Sequence, residues 1–557
     1  MKRSSNLSIG LNMISIVSRA AKWAFYPLQN IAFRGAIYLA LALFILTLTS
    51  IASLNTEKSR PGIDLSMNGS RVLIGLSIVT SNYGFNSPLY SYYKPVYDIF
   101  YTQKTHGWDE VNALIVKALA VKPETLSPDT LTMGFNELNS DDKGIILWHW
   151  AAFAAFGPHL ESIYLLYFVL MATSMAIFWL AHRRDEAALM LLPLYALAHM
   201  ALAAYVLAGN PNVMGTLLTS RPFSMLATLP ALHLALLMLR GRHFSPWLAA
   251  GAIYQIAFIL LAISVRSSAK TQVILLLMLA AVLLLRWVWN HHHALKINRH
   301  LLRQPFLWIT ALLVMGSMAS SIFYTAAVPL DIRSRTITGH VMWHALIAGF
   351  VLDKSLLTDD LYQFAKAYRP YTKPPEHDEL SFISVLGFYK QQFHQDIGKI
   401  VFGPTSNFDP AGGAMNFGPA DGRNDKVYEQ AARQLFFHEL KRRPLAIAHL
   451  FMVTKTIELH DMTRNVMGEM QHQRKLALSF AVGLLGGTYW LRSLKTAAPL
   501  IIVGLMVSTI PAYLFVPATH TMYDYAPYFY IGFLSIAVTA GALTSAAAQH
   551  VLKRSAG

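Results

Sequence analysis

Apolar positions fall in unbroken runs of about 18–22 residues, the length of α-helix that crosses a hydrocarbon core. The first run is 36–54. Others follow at about 160–181, 187–207, 222–240, 247–265, 271–289, 306–327, 475–491, 497–517 and 526–548. A membrane β-barrel needs strands that alternate apolar and polar residues, and these runs do not alternate. The pattern predicts an all-α polytopic membrane protein of about 10 (10–12) transmembrane helices with both termini inside. Segment 445–459 is apolar too, but it holds Lys455 and Glu458. A charge at mid-bilayer costs several kcal/mol, so this segment reads as a surface or re-entrant helix.

The polar stretches divide the chain. Residues 1–35 carry Lys2, Arg3, Arg19, Lys22 and Arg34 among Trp23, Phe25, Tyr26 and Phe33, with no acid. They predict a cytoplasmic amphipathic arm lying at the interface. A transmembrane core covers 36–327 and includes an exported loop, 55–143, with 8 Lys/Arg against 10 acids. A second exported loop domain covers 328–443, with 14 Lys/Arg against 13 acids, and 444–557 holds the C-terminal membrane helices. In the first loop, 71–80 reads as a short strand or surface helix, and 85–101, rich in Tyr and Pro, as an interfacial loop. Asp109 opens a helix to about Ala120, as its N-cap or first-turn acid. Segment 145–156 is too short to span and is predicted to lie along the interface or dip into it.

The net charge of +16 first invites a nucleic-acid partner. Its placement argues otherwise. The segments assigned to the inside (the arm, 182–186, 240–243, 286–304, 492–495 and the tail) carry 17 Lys/Arg and two acids, or +15. That is the positive-inside bias of a membrane protein facing anionic headgroups, so membrane lipids are expected partners and nucleic acid is not. There is no cysteine, hence no disulfide and no thiolate chemistry. Exported loops without disulfides fit a bacterial inner (cytoplasmic) membrane better than a eukaryotic secretory one.

Candidate chemistry gathers in 107–157. Asp109-Glu110 opens the amphipathic helix, and Asp141-Asp142-Lys143-Gly144-Ile145-Ile146-Leu147-Trp148 heads the aromatic segment. This order resembles the first exported loop of the GT-C superfamily, polytopic glycosyltransferases that use polyprenyl-phosphate-linked sugars. Asp-Lys-Gly-Ile stands where many members have Lys-Pro-Pro-Leu, and the acidic pair lies about 55 residues beyond the first span rather than close to it. Ser220-Arg221-Pro222-Phe223, Val265-Arg266-Ser267-Ser268 and Gly339-His340-Val341-Met342-Trp343-His344 look like stretches of large hydrophobic proteins of bacterial surface-polysaccharide loci.

The resemblance implies a GT-C-like fold and sugar transfer from a polyprenyl-phosphate donor to a glycan or glycolipid acceptor, on the periplasmic or exported face. Asp109 is then the general base on the acceptor hydroxyl, with Glu110 beside it; one helical position turns about 100°, so only one of them faces a given site. The structural alternative makes both of them helix-start acids. Asp141, Asp142 and Lys143 contact the acceptor sugar, hold a divalent cation (Mg²⁺ or Mn²⁺), or simply cap the next helix. No other cofactor is expected. Arg221 and Arg266 stand at the exported ends of spans, where a guanidinium binds a lipid phosphate or snorkels to headgroups. His340, Trp343 and His344 read as a sugar or phosphate contact or as an interfacial helix. The histidine pair lacks the third ligand of a zinc site. Tyr523 and Asp524 approach the same cavity or cap an interfacial loop. A lipid-diphosphate polymerase or ligase, a glycolipid transporter or flippase, and a non-catalytic scaffold of a polysaccharide-export assembly are the competing readings.

Overall fold

The computed structural model describes residues 31–59, 63–64, 99, 105–120, 144–200, 226–240, 245–265, 269–291, 304–327, 342–352, 356–368, 377–400, 425–454, 457 and 474, apart from 190, 194, 198 and 399. These residues are almost wholly helical. The exception is one two-residue antiparallel pairing, β1 (Ile63–Asp64) with β2 (Thr105–His106). The predicted arm as far as residue 30, the segment 71–80 and the three spans beyond 474 lie outside the described residues.

The first helical group is α1 (Ile31–Lys58), α2 (Trp108–Leu119), α3 (Gly144–Phe156), α4 (Leu160–His182), the short α5 (Glu186–Leu189), α6 (Thr228–Arg240), α7 (Pro246–Val265), α8 (Lys270–His291) and α9 (Pro305–Ala327). Among the described residues, four helices are long and apolar enough to cross a membrane: Phe33–Lys58, Leu160–His182, Pro246–Val265 and Gln272–Asn290. They answer to the sequence runs beginning at 36, 160, 247 and 271. The exposed faces carry the same message. Helix α8 shows Ile274, Met278, Val282, Leu285 and Trp289 outward at helical spacing, and α1 does so with Phe33, Ile37, Leu41, Phe44 and Leu48. Helices apolar on the outside as well as the inside suit a lipid solvent.

The inward faces make one core. On α4 the buried residues Leu160, Ile163, Tyr164, Tyr167, Met171, Met175 and Phe178 recur every three or four positions, which is one face of a 3.6-residue helix. They pack with Ala252, Ile256 and Ile259 of α7 and with the buried face of α6. Helix α3 has 13 residues, about 20 Å at 1.5 Å each, and so is too short to cross. It packs on both α4 and α7, and Gly144 at its start lies directly on the Ser264–Val265 backbone at the end of α7. A Cβ there would overlap that backbone. The Gly of the Asp-Asp-Lys-Gly run is thus a packing requirement.

A second core involves α10 (Met342–Ala348), the 3₁₀ turn Gly349–Leu352, α11 (Leu356–Tyr368), α12 (His377–Phe393), α13 (Asp425–Arg442), α14 (Pro444–His449) and the π-helical turn Leu450–Thr454. Leu357, Leu361, Phe364 and Ala365 of α11 meet Ile383, Leu386 and Phe388 of α12 and Tyr428, Ala431 and Leu435 of α13. Ile447 and Leu450 belong to the same core, so the packed unit continues past residue 443. The described part of segment 445–459 is the short α14 and the π turn, and among the described residues it is not a candidate span.

Candidate functional site at the head of the fourth helix

Helix α2 begins after Gly107, whose backbone is extended. Glu110, the third residue of the helix, reaches back and its Oε2 accepts the Gly107 N–H at 3.3 Å. This is one half of a capping box; the other half is missing because glycine has no side chain. Buried Trp108, Val111, Ile115 and Ala118 form the inner face of the helix, and Asp109 and Glu110 are exposed.

The inner face is tied to α4 by polar bonds. Trp108 Nε1–H donates to Glu161 Oε1 at 2.9 Å, and Asn112 Nδ2–H donates to Glu161 Oε2 at 3.2 Å. Asn112 Oδ1 accepts the Leu160 N–H at 2.9 Å, satisfying one of the orphan donors of the first turn of α4. Lys58, the last residue of α1, completes the cluster: its Nζ lies 2.8 Å from Glu161 Oε1 and 5.9 Å from the centre of the Trp108 ring. One carboxylate thereby joins the ends of three helices at one end of the bundle. Its place in the first turn of α4 also suits the positive end of the helix dipole. Asp109 is presented to solvent beside this fixed point.

Deeper between the helices, polar groups meet in pairs. Tyr167 Oη lies 2.6 Å from His199 Nε2, and Ser174 Oγ–H donates to Gln255 Oε1 at 2.8 Å. His182 and His233 stack edge to face at 5.1 Å against Phe178. Among the described residues, neither ring nitrogen of His233 finds a hydrogen-bond partner.

In the second unit, α10 is capped from another helix. Both carboxylate oxygens of Glu429 on α13 accept backbone N–H groups, those of Trp343 at 3.0 Å and His344 at 2.9 Å. His344 Nδ1 lies 2.7 Å from Tyr428 Oη, and its ring lies 4.3 Å from that of Phe382. Trp343 packs on Phe436 and Phe437, with the Arg433 guanidinium 5.9 Å over its ring. In the same unit Arg443 is ion-paired with Asp360: Nη2 donates to Oδ1 at 3.2 Å, and Nε stands 2.7 Å from Oδ2 without the alignment of a hydrogen bond. Arg442 Nη1 stands 3.3 Å from Asp360 Oδ1 and 3.9 Å from Glu439 Oε1. Burial, then the Asp360 charge, pushes the Glu439 carboxyl up to about 7.

Of the residues singled out in the sequence, Asp109 and Glu110 stand at the head of α2, and Trp343 and His344 stand in the second unit. Asp141, Asp142, Lys143, Arg221, Arg266, His340, Tyr523 and Asp524 lie outside the described residues. Among the described residues, no group of three or more His, Asp or Glu is arranged to hold a metal ion. Sequence reasoning passed over Lys58, Trp108, Asn112 and Glu161. The only local signal was an acid in the first turn after Gly157-Pro158, and nothing local joins it to residues 49 and 53 positions earlier. Compared with known proteins, the chain matches no family model, no curated protein and no solved structure.

Proposed function

We propose that the chain is a membrane glycosyltransferase that moves a sugar from a polyprenyl-phosphate carrier to a lipid-linked or cell-surface glycan at the exported face of a bacterial inner membrane. The supporting observation is the seat of Asp109. It is an exposed carboxylate in the first turn of a helix that Trp108 and Asn112 bind to the head of a candidate membrane span. A base in such a place meets an acceptor hydroxyl at the depth of a lipid headgroup. In the reaction Asp109 takes the hydroxyl proton while the acceptor oxygen bonds to the sugar C1. The C1–O bond to the phosphate breaks, and the phosphate leaves with the electron pair. Arg221 and Arg266 are assigned to the leaving phosphate, and Asp141, Asp142 and Lys143 to the acceptor sugar or a divalent cation, on their sequence positions alone. A lipid-diphosphate donor is the variant of the same reading. The test is transfer of radiolabelled hexose from a polyprenyl-phosphate donor in vesicles. Asp109→Asn abolishes it at unchanged folding; retained transfer removes Asp109 as the base.

A second reading, glycolipid transport, is favoured by the buried polar pairs Tyr167–His199 and Ser174–Gln255 between apolar helices. Polar groups at membrane depth are costly and commonly mark pathways. Movement of a labelled glycolipid across liposomes containing the protein, with no glycosidic bond formed, would reverse the order.

A further inference from the structure

The second unit carries an outward stripe, touched from below by Trp343 and Phe436 at the edge of its core. Arg433, Phe437 and Lys441 follow one another at four-residue spacing on α13, all exposed. Side chains at that spacing share a helix face. Past the corner at Arg443, Leu445 is 83% exposed, and Val453 and Ile457 are 41% and 54% exposed. Arg442 is half exposed beside it, and Trp343 lies under the Arg433 guanidinium. Gln430, also exposed and one turn before Arg433, is neutral. The corner is tied to α11: Asp360 accepts from Arg443 Nη2 and pairs with both Arg443 and Arg442. The corner therefore fixes which way Lys441 and Leu445 face.

Basic and aromatic residues leading into exposed aliphatic ones are the surface of an interfacial element. Cations meet phosphate headgroups, rings sit at the headgroup boundary, and aliphatic side chains enter the acyl region. Two observations commit the occupant to lipid. The cations adjoin the bare apolar residues, matching an anionic headgroup layer over acyl chains, and the same chain has helices able to cross a membrane. We infer that the unit spanning 342–454 is seated on the anionic bilayer surface through Arg433, Phe437, Lys441 and Leu445. It is not an exported loop domain free in water. This placement does not depend on sugar transfer.

The chain has no cysteine, so single labels can be placed directly. The full-length protein is prepared as Leu445→Cys and, as a solvent-facing control, Lys366→Cys. Each carries a nitroxide in nanodiscs of phosphatidylcholine, alone or mixed with phosphatidylglycerol. Relaxation by oxygen and by a water-soluble nickel chelate gives a depth parameter. The expected result is a label at 445 that favours oxygen over nickel and lies deeper in the mixed discs. The label at 366 should favour nickel in both. Adding Lys441→Glu to Leu445→Cys should bring the label outward in the mixed discs. Nickel accessibility at 445 equal to that at 366 would mean open water and overturn the proposal. Low accessibility to both reagents would mean a protein cover, such as a second copy, and overturn it as well. Equal depth in the two lipids would overturn the anionic-headgroup assignment.

Discussion

Trp108 and Glu161 lie 53 residues apart, and the indole N–H of the first donates to the carboxylate of the second at 2.9 Å. The bond carries information beyond its own strength. It sets a short amphipathic helix on the end of an apolar one, and it does so at a single carboxylate already paired with Lys58. Anything that the exposed edge of α2 does chemically is positioned by that carboxylate.

Glu161→Gln removes the charge shared by Lys58, Trp108 and Asn112 while keeping the side-chain shape. Hydrogen bonds to a charged group are worth about 1.5–3 kcal/mol, so a loss of about 1–3 kcal/mol is expected in the docking of α2. Trp108→Phe keeps an aromatic ring but removes the donor and part of a buried indole, so a packing loss adds to the roughly 1 kcal/mol of the hydrogen bond. Hydrogen exchange of residues 108–119 in the full-length protein measures both. Unchanged protection in Glu161→Gln would show that apolar packing of Val111 and Ile115 alone seats the helix.

Arg443→Ala leaves the buried Asp360 with Arg442 as its remaining cation at 3.3 Å. Removing one member of a buried pair costs about 3–5 kcal/mol, and Arg442 moves the expected value toward the lower end. Arg443→Lys recovers only part of it, because a single ammonium cannot stand beside both carboxylate oxygens as Nε and Nη2 do. Asp360→Asn combined with Arg443→Met should cost less than Arg443→Ala alone, since no buried carboxylate is left short of a partner and the half-exposed Arg442 keeps solvent and Glu439. Limited proteolysis of the 342–454 unit, read within the intact chain, ranks the three.

Glu439 gives the second unit a pH dependence of definite sign. Burial first, and Asp360 second, raise its carboxyl from an ordinary 4.5 to about 7 in the folded protein. The folded state therefore holds a proton that the unfolded state releases between those values. Stability from this group is fully present below about 4.5 and is lost as pH rises through about 7. His438 works in the opposite direction. Burial and the Arg442 charge lower its pKa, so folding disfavours its charged form and its contribution improves as pH rises. The difference between the native protein and Glu439→Gln isolates the carboxyl. The native unit should lose stability relative to the variant as pH rises from about 5 to about 8, by thermal unfolding in buffers of matched ionic strength. A flat difference would contradict the raised carboxyl.

The sequence by itself determined the four long apolar helices of the described residues, to within a few residues of their starts. A run of some 20 apolar residues leaves its backbone groups no partner in lipid except one another, so the helix follows from local composition. It also determined α2, because Gly107, Glu110 and the apolar residues at helical spacing all lie within one short stretch. What the tertiary structure decided is which acids are held and which are free. Glu110 is used by its own helix and Asp109 is left exposed. Glu161, unremarkable in its own surroundings, becomes the junction of α1, α2 and α4. The helical core of the second unit was equally hidden, because its apolar positions are interleaved with as many charges as a loop carries. In each case the deciding partner lies tens of residues away, and only folding brings the two within hydrogen-bond range.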